Sequence, residues 1–291
     1  MVQYKYHNNR RDNMRKIKIV TDSSSDILTV EGIDFESAPL KIVTTEKIYI
    51  DDATLDVEEM VNDLATYKGK SSTSCPNPDD YIRAFGDADE VFCTTITGSL
   101  SGSYNSAVLA KNTYEAEHEG RRVYVLNSLS TGPEMALIIE RMRSLILDGR
   151  IFEEITADID EYCRHTGLLF MLESMRNLAN NGRVSPVVAK LAGMLGIRVI
   201  GRASERGELE MLSKPRGERN ALVGVIDQLR ANGYAGGAIR IAHCVNEPLA
   251  KTLSDMVAAE FGAKDIKVYP LRGLCSFYAE RGGLIIGFEK A

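Results

Sequence analysis

Short runs rich in β-branched residues alternate with segments of helical periodicity over the first part of the chain. Residues 16–22 and 90–97 are rich in Val, Ile and Thr, which favours strands. Residues 56–67 and 101–119 have the pattern of helices. In a further helical segment the apolar residues fall on one face: Met135, Ile138, Ile139, Met142, Leu145 and Ile146. Strands that alternate with helices predict a parallel sheet with helices packed on it.

The remaining elements of this part continue the alternation. Residues 122–127 are expected to form another strand, and residues 40–50 a pair of β-strands. Residues 77–80 (Asn-Pro-Asp-Asp) are typical of a helix start, because they offer a cap, an early proline and acids near the positive helix end. A further helix is expected over residues 151–165.

Hairpin signals distinguish the second part of the chain. After a strand at residues 167–173 and a helix from Ser185 to about Leu195, two β runs at 197–202 and 208–214 flank the turn sequence Glu-Arg-Gly at 205–207. Three more strands are expected, with helices between them: 238–245, 265–271 and 284–289. Strands joined by hairpins and by helices predict a mixed sheet, and therefore a second domain with a different plan.

These patterns predict an α/β protein of two domains. A polar extension covers residues 1–13, and a domain with a mainly parallel sheet flanked by helices covers residues 14–165. A domain with a mixed or antiparallel sheet and helices covers residues 166–291. The length of 291 residues is sufficient for two hydrophobic cores.

Composition and charge narrow the classes of function. The net charge of −6 argues against a nucleic-acid partner, because phosphate backbones attract basic surfaces. No apolar run approaches the length of a membrane span, and no apolar secretory segment follows the N-terminus. Five widely spaced cysteines favour reduced thiols, and the four histidines lack metal-ligand spacing. We therefore expect a cytoplasmic protein with no stable membrane insertion, no metal and no cofactor.

Two short sequences resemble catalytic motifs but lack an essential residue. Residues 69–71 (Gly-Lys-Ser) would end a P-loop, but Leu64 stands where the upstream glycine is required. Residues 98–102 have the glycines of a nucleophile elbow, but Leu100 stands at the place of the nucleophile. Neither sequence predicts an enzyme.

Clusters of Ser and Thr near predicted strand ends are the candidate binding groups. They occur at residues 21–26, at residues 72–76 and at residues 94–104. Hydroxyls and free backbone N–H groups at a helix N-terminus form a suitable anion site. Plain helix capping by Ser101 is the alternative for the last cluster, and both roles are compatible because a capping serine can also turn to a ligand.

A fourth segment, residues 180–186, adds a positive charge. Gly182 relaxes the backbone there, and Arg183 precedes the expected helix start. Arg183 is therefore either an anion ligand or an ordinary surface charge. Residues 183–219 hold eight Lys or Arg against four Glu, a local surplus that suits an anionic head group or a partner protein.

In their order and spacing, these segments resemble the DegV family of fatty-acid-binding proteins, from about Met14 to the C-terminus. The matching residues are Thr21-Asp22-Ser23, Thr73-Ser74-Cys75-Pro76, Leu100-Ser101-Gly102-Ser103-Tyr104, Asn127-Ser128, Gly182-Arg183-Val184-Ser185 and Lys214-Pro215-Arg216-Gly217. Cys75 stands where the family has glutamine. Tyr278 stands where the family has a histidine close to the bound carboxylate.

The resemblance implies a lipid carrier with a long-chain fatty acid between its two domains. It assigns the carboxylate to Thr73, Ser74, Ser101 and Gly102. It places Arg183 and Tyr278 near the head group. It also implies that a separate fatty acid kinase phosphorylates the carboxylate, and that the binding protein supplies no catalytic residue.

Two other hypotheses remain open on the sequence. A serine-dependent hydrolase or transferase would use a serine such as Ser101 in a cleft between the domains, with Arg183 stabilising an anion. A regulatory module whose lipid site has been lost would instead have a collapsed or filled cavity.

Overall fold

The computed structural model describes residues 15–186 and 195–291, which form two large β-sheets, a small third sheet and helices that cover them. The strands are β1 (Ile17–Asp22), β2 (Asp34–Ala38), β3 (Lys41–Val43), β4 (Ile48–Ile50), β5 (Ser72–Ser74), β6 (Glu90–Thr95), β7 (Arg122–Asn127), β8 (Thr166–Leu172), β9 (Val199–Ala203), β10 (Leu209–Ser213), β11 (Tyr234–His243), β12 (Ile266–Pro270) and β13 (Leu284–Lys290). The α-helices that enter the description are α1 (Val57–Thr66), α2 (Pro78–Phe85), α3 (Ser103–Glu117), α4 (Gly132–Leu147), α5 (Phe152–Tyr162), α6 (Arg176–Asn180), α7 (Glu218–Ala231), α8 (Glu247–Phe261) and α9 (Gly273–Ala279). The extension expected at 1–13 and residues 187–194 of the expected helix lie outside the described residues.

The first large sheet has the order β2-β1-β6-β7 with every pair parallel, which confirms the predicted parallel sheet. Successive side chains of its strands point to opposite faces. Val20 and Cys93 pack against α2 and α3, whereas Ile19 and Phe92 pack against α4 and α5. Helices therefore cover both faces, and β6 is buried along its whole length.

The second large sheet has the order β10-β9-β8-β13-β11-β12 and is mixed, as predicted. Neighbouring strands in this sheet pair antiparallel, except β11 and β12, which are parallel. β9 and β10 form the expected hairpin. Leu169 and Met171 of β8 pack in the cluster beneath α7 and α8. Leu168, Phe170 and Leu172 point to the opposite face, where they pack with side chains from the first part of the chain.

Several short elements were not predicted. β2 pairs with β1, and β5 pairs with β3 in the small sheet β4-β3-β5. The small sheet contains the β pair expected at residues 40–50. α6 and α9 have only five and seven residues, so neither shows a helical period in the sequence.

Helix α4 connects the two large sheets. One face packs on the first sheet, and the N-terminal end lies directly on Gly287 of β13. Farther along α4, Glu140 accepts a hydrogen bond from Arg240 of β11, at 3.1 Å from Nε to Oε1. Arg240 is 2 % exposed and also pairs with Asp265, so its buried charge is neutralised. The two halves of the chain therefore share a tightly packed joint.

Replacement of Gly287 by Ala should disrupt the packing of α4 against β13. An added Cβ would overlap the backbone of Pro133 and Glu134, which cannot move away as the end of a side chain can. We expect Gly287→Ala to lower the free energy of unfolding by about 3 kcal/mol in chemical denaturation. The matched control is Gly224→Ala in α7, where the nearest atom is the flexible Cδ1 of Ile200 at 2.8 Å. Equal effects of the two substitutions would contradict the close packing at Gly287.

Candidate functional site

A cavity lies where the inner face of the second sheet meets α9 and the loop before α3. It encloses about 690 Å³ of space between atoms, including the part open to solvent. Its lining is mainly aliphatic and comes from both halves of the chain. The apolar lining residues are Leu40, Ile96, Leu100, Leu168, Phe170, Leu172, Leu178, Leu209, Leu274, Cys275, Ala279 and Ile285.

The polar residues in the lining are Thr73, Ser101, Thr131, Arg183 and Tyr278. Two of them meet directly, since the hydroxyls of Thr73 on β5 and Tyr278 on α9 are 2.8 Å apart. The Arg183 guanidinium carbon lies 6.0 Å from the centre of the Tyr278 ring. Burial raises the pKa of Tyr278, so its phenol stays neutral and able to donate a hydrogen bond.

Arg183 is held in place by backbone carbonyls. Its Nε donates to the carbonyl of Leu100 at 3.2 Å, and its Nη1 donates to the carbonyl of Asn181. Gly182 before it has a φ of 72°, a conformation that glycine adopts without strain. The guanidinium therefore lies beside the loop that carries Ser101.

The loop before α3 presents Ser101 to the cavity. The N–H groups of Leu100 and Ser101 both donate to the carbonyl of Thr97, which closes a tight turn. Gly102, not Ser101, is the N-cap residue, but the Ser101 Oγ still accepts the N–H of Ser103 at 3.3 Å. Helix α3 therefore starts two residues later than expected, and the Ser101 hydroxyl lies at its N-terminal end.

The structure brings four of the six predicted site residues into one cavity lining: Thr73, Ser101, Arg183 and Tyr278. The other two, Ser74 and Gly102, are exposed and lie outside this lining. Ser74 follows Thr73 on β5, and neighbouring residues of a strand point to opposite faces. Gly102 lies against the thiol of Cys75, which is 3.2 Å from the position of an added Cβ.

A buried acid lies beneath the loop; the sequence placed it in the polar cluster at residues 21–26 but assigned it no role of its own. Asp22 at the end of β1 is fully buried, and its Oδ2 accepts bonds from the Ser103 hydroxyl and from the N–H of Ile96 at 3.0 Å. Its Oδ1 accepts the N–H and the hydroxyl of Ser24. Burial raises the pKa of Asp22, and these hydrogen bonds oppose the rise. Asp22 therefore ties β1 to both ends of the loop that carries Ser101.

A second buried acid holds α9. The two oxygens of Asp51 accept the N–H groups of Gly273 and Leu274, each at 2.8 Å. A carboxylate in this position satisfies free donors at the helix N-terminus and is favoured by the helix dipole. Asp51 thereby fixes the helix that carries Tyr278 into the cavity, and only the tertiary contact reveals its role.

The described residues contain neither a candidate metal cluster nor a membrane-spanning helix. No group of three or more His, Cys, Asp or Glu within residues 15–186 and 195–291 could hold a metal ion. The cavity lining described above contains no histidine. In the same described parts of the chain, no helix combines the length and hydrophobicity that a membrane crossing requires.

Known proteins are similar to this chain in both sequence and fold. The DegV family model, described as "Uncharacterised protein, DegV family", matches residues 16–291. A DegV domain-containing protein of Streptococcus pneumoniae is 44 % identical over 276 residues, which cover 94 % of this chain and 98 % of the relative.

Two solved structures are similar over nearly the whole chain. A DegV family protein from Eubacterium eligens, loaded with heptadecanoic acid, has a TM-score of 0.93 and 45 % identity, and the match covers 94 % of this chain and 100 % of that one. The Streptococcus pneumoniae Fatty Acid Kinase (Fak) B3 protein, loaded with linoleic acid, has a TM-score of 0.93 and 42 % identity, with 95 % and 100 % covered.

The fold and the cavity define an α/β protein with two large sheets and a largely apolar cavity, whose wall also carries polar groups. The chain belongs to the DegV family. The expected resemblance and fold class are therefore confirmed.

Removal of the Asp22 carboxylate should destabilise the loop that carries Ser101. Asp22→Ala leaves the N–H groups of Ser24 and Ile96 and the Ser103 hydroxyl without their buried acceptor. We expect the free energy of unfolding to fall by about 3 kcal/mol in chemical denaturation. Asp255→Ala on the exposed surface of α8 is the control and should change it by less than about 0.5 kcal/mol. A small effect at Asp22 would refute its role in holding the loop.

Proposed function

We propose that this protein binds a long-chain fatty acid in the cavity and presents its carboxylate to a separate fatty acid kinase. The observation that carries the proposal is the composition of the cavity wall. Aliphatic side chains cover most of it, and the hydroxyls of Thr73 and Tyr278 meet beside Arg183. In this proposal the ligand lies between the proposed domains 14–165 and 166–291, and residues from both ranges in the cavity lining support that placement.

The apolar part of the wall supplies the driving force for binding. Transfer of an acyl chain from water gains ~0.8 kcal/mol per methylene, or roughly 10 kcal/mol for fourteen methylenes. Immobilising the chain and the complex takes back a large part of this gain. A dry, largely preformed cavity is therefore required, and the inner face of β8 with Leu168, Phe170 and Leu172 provides a rigid wall for one.

The polar region supplies the contacts that a buried carboxylate needs. An unpaired anion in an apolar cavity would be too costly, so its oxygens must receive hydrogen bonds. The hydroxyls of Thr73, Ser101 and Tyr278 are the donors we assign to them. Arg183 adds a positive charge close to these hydroxyls. Its Nε and Nη1 each donate to a backbone carbonyl, and these two bonds do not use all of the N–H groups of the guanidinium. Tyr278 thus takes over hydrogen bonding at the position where the family has a histidine.

The similar structures support the ligand and the partner. The Eubacterium eligens protein holds heptadecanoic acid, and the Streptococcus pneumoniae protein with linoleic acid is named for a fatty acid kinase. Among the described residues, Ser101 has no histidine or carboxylate hydrogen-bonded to its hydroxyl that could act as a base. We therefore infer a carrier without catalytic residues in preference to a serine hydrolase or transferase.

Protein purified from cells should contain a fatty acid. We expect denaturing mass spectrometry to release a long-chain acid in an amount approaching one per chain, because the cavity would otherwise expose a large aliphatic wall to water. Protein stripped of lipid should then bind added palmitate or oleate. If no acid is released and neither lipid binds to the stripped protein, the proposal fails.

Loss of one head-group hydroxyl should weaken binding without unfolding the protein. Ser101→Ala removes one donor to the carboxylate and should raise the Kd for oleate about tenfold, as expected for one hydrogen bond to a charged group. Ser74→Ala is the matched control, because Ser74 is exposed and outside the cavity lining. Displacement of a fluorescent fatty acid gives both values. Weaker binding in the control alone would move the head group from Ser101 to Ser74.

A further inference from the structure

A second carboxyl group, from Asp26, joins α9 to the first half of the chain. Asp26 follows the 3-10 turn Ser23–Ser25, and its Oδ1 accepts the backbone N–H of Arg272 at 2.7 Å. Arg272 is the N-cap residue of α9. Asp26 and Asp51 therefore both hold the N-terminal end of the helix that carries Tyr278.

We propose that Asp26 is a proton-dependent positioning residue, which locks α9 in place while its carboxyl is protonated and lets α9 detach when the proton is lost. Release of the ligand follows from that detachment, and this part of the inference rests on the proposed fatty-acid binding. The lock acts through α9, since Asp26 itself is not among the residues that line the cavity.

The surroundings of the second Asp26 oxygen favour a protonated carboxyl. Oδ2 is buried and has no hydrogen-bond partner in the described part of the chain. The Cα of Gly132 faces it so closely that an added Cβ would lie 3.1 Å from Oδ2. An ionised carboxylate with one oxygen that receives no hydrogen bond is far costlier to bury than a neutral acid. Gly132, with no side chain, leaves just enough space for the carboxyl.

Burial has the largest influence on the pKa of Asp26 and outweighs the neighbouring groups that lower it. Burial raises the pKa of Asp26 to about 8, and the negative charge of Asp51 adds to the rise. The hydrogen bond from Arg272, the nearby Cys275 thiol and the charge of Arg272 oppose it. The other titratable groups that interact with Asp26 are Cys275 of α9, Tyr269 of β12 and Cys244 after β11. Burial raises the pKa of these three groups, so each is neutral at pH 7.

Movement of α9 would change the cavity directly. Leu274, Cys275 and Tyr278 all lie on this short helix and in the cavity lining. Burial raises the pKa of Asp51 as well, and once both acids are ionised their negative charges repel each other at the N-terminal end of the helix. Detachment would let water reach Asp26 and would separate the Tyr278 hydroxyl from Thr73.

The sign of the pH dependence follows from the two states. With α9 attached, Asp26 keeps its proton up to about pH 8, whereas with α9 detached its pKa approaches the ordinary value of 3.8. Between these values the attached state binds one more proton, so attachment weakens as the pH rises. The loss amounts to at most about tenfold per pH unit and stops above about pH 8.

Amide hydrogen exchange of α9 in lipid-free protein tests the lock without depending on the ligand. After correction for intrinsic exchange rates, protection of Gly273–Ala279 in the wild type should fall by up to about tenfold per pH unit between pH 5 and pH 8. Asp26→Asn should remove most of this slope, because asparagine keeps the acceptor for Arg272 and tolerates the left-handed φ of 61°. Asp255→Asn on the surface should leave the slope unchanged.

Oleate binding at pH 6.5 and pH 8 provides the second readout. We expect the wild type to lose more affinity than Asp26→Asn when the pH is raised. Ionisation of the lipid affects both proteins equally, so the comparison between them removes its contribution. Equal slopes of α9 protection in wild type and Asp26→Asn, or a flat wild-type profile, would overturn the lock. If the variant does not fold, the wild-type profile by itself tests the lock. Absence of oleate binding at both pH values would instead overturn the proposed function. The hydrogen-exchange measurement would still test the lock in that case.

Discussion

The need to satisfy buried carboxyl groups governs the architecture of the cavity. Asp22 and Asp51 are both removed from water, and each can remain there only because backbone N–H groups and hydroxyls point at its oxygens. Those donors belong to the segments that carry the site, namely the loop of Ser101 and helix α9 with Tyr278. The acids thus position the ligand groups without contacting the cavity themselves.

The second sheet supports the cavity through the alternation of its side chains. One face of β8 packs beneath α7 and α8, as the face of any globular sheet does. The other face turns toward the first half of the chain, which covers it incompletely and leaves the cavity. α4 holds the two halves together through the contact at Gly287 and the ion pair of Arg240 with Glu140. A rigid joint next to an incompletely filled interface is what a carrier of an apolar ligand requires.

Much of the fold was predictable because its longer elements have distinctive local sequences. β1 and β6 are rich in β-branched residues, α4 has a stripe of apolar positions, and the parallel and mixed sheets follow from the order of strands and helices. β5 and α9 escaped prediction, because three or seven residues cannot establish a period. Both are decisive for the site, since they bring together Thr73 and Tyr278, which are 205 positions apart in the chain.

The sequence by itself determined the fold class, the family resemblance and the residue types of the site. Local patterns and motifs consist of residues that lie close together in the sequence, so they can be recognised without the structure. The tertiary structure alone decided which of those residues share a cavity: it joined Thr73, Ser101, Arg183 and Tyr278 and left Ser74 on the surface. It also revealed Asp22, Asp26 and Asp51 as buried anchors. Burial and hydrogen-bond partners depend on contacts between distant segments, and one-dimensional patterns do not encode which distant segments meet.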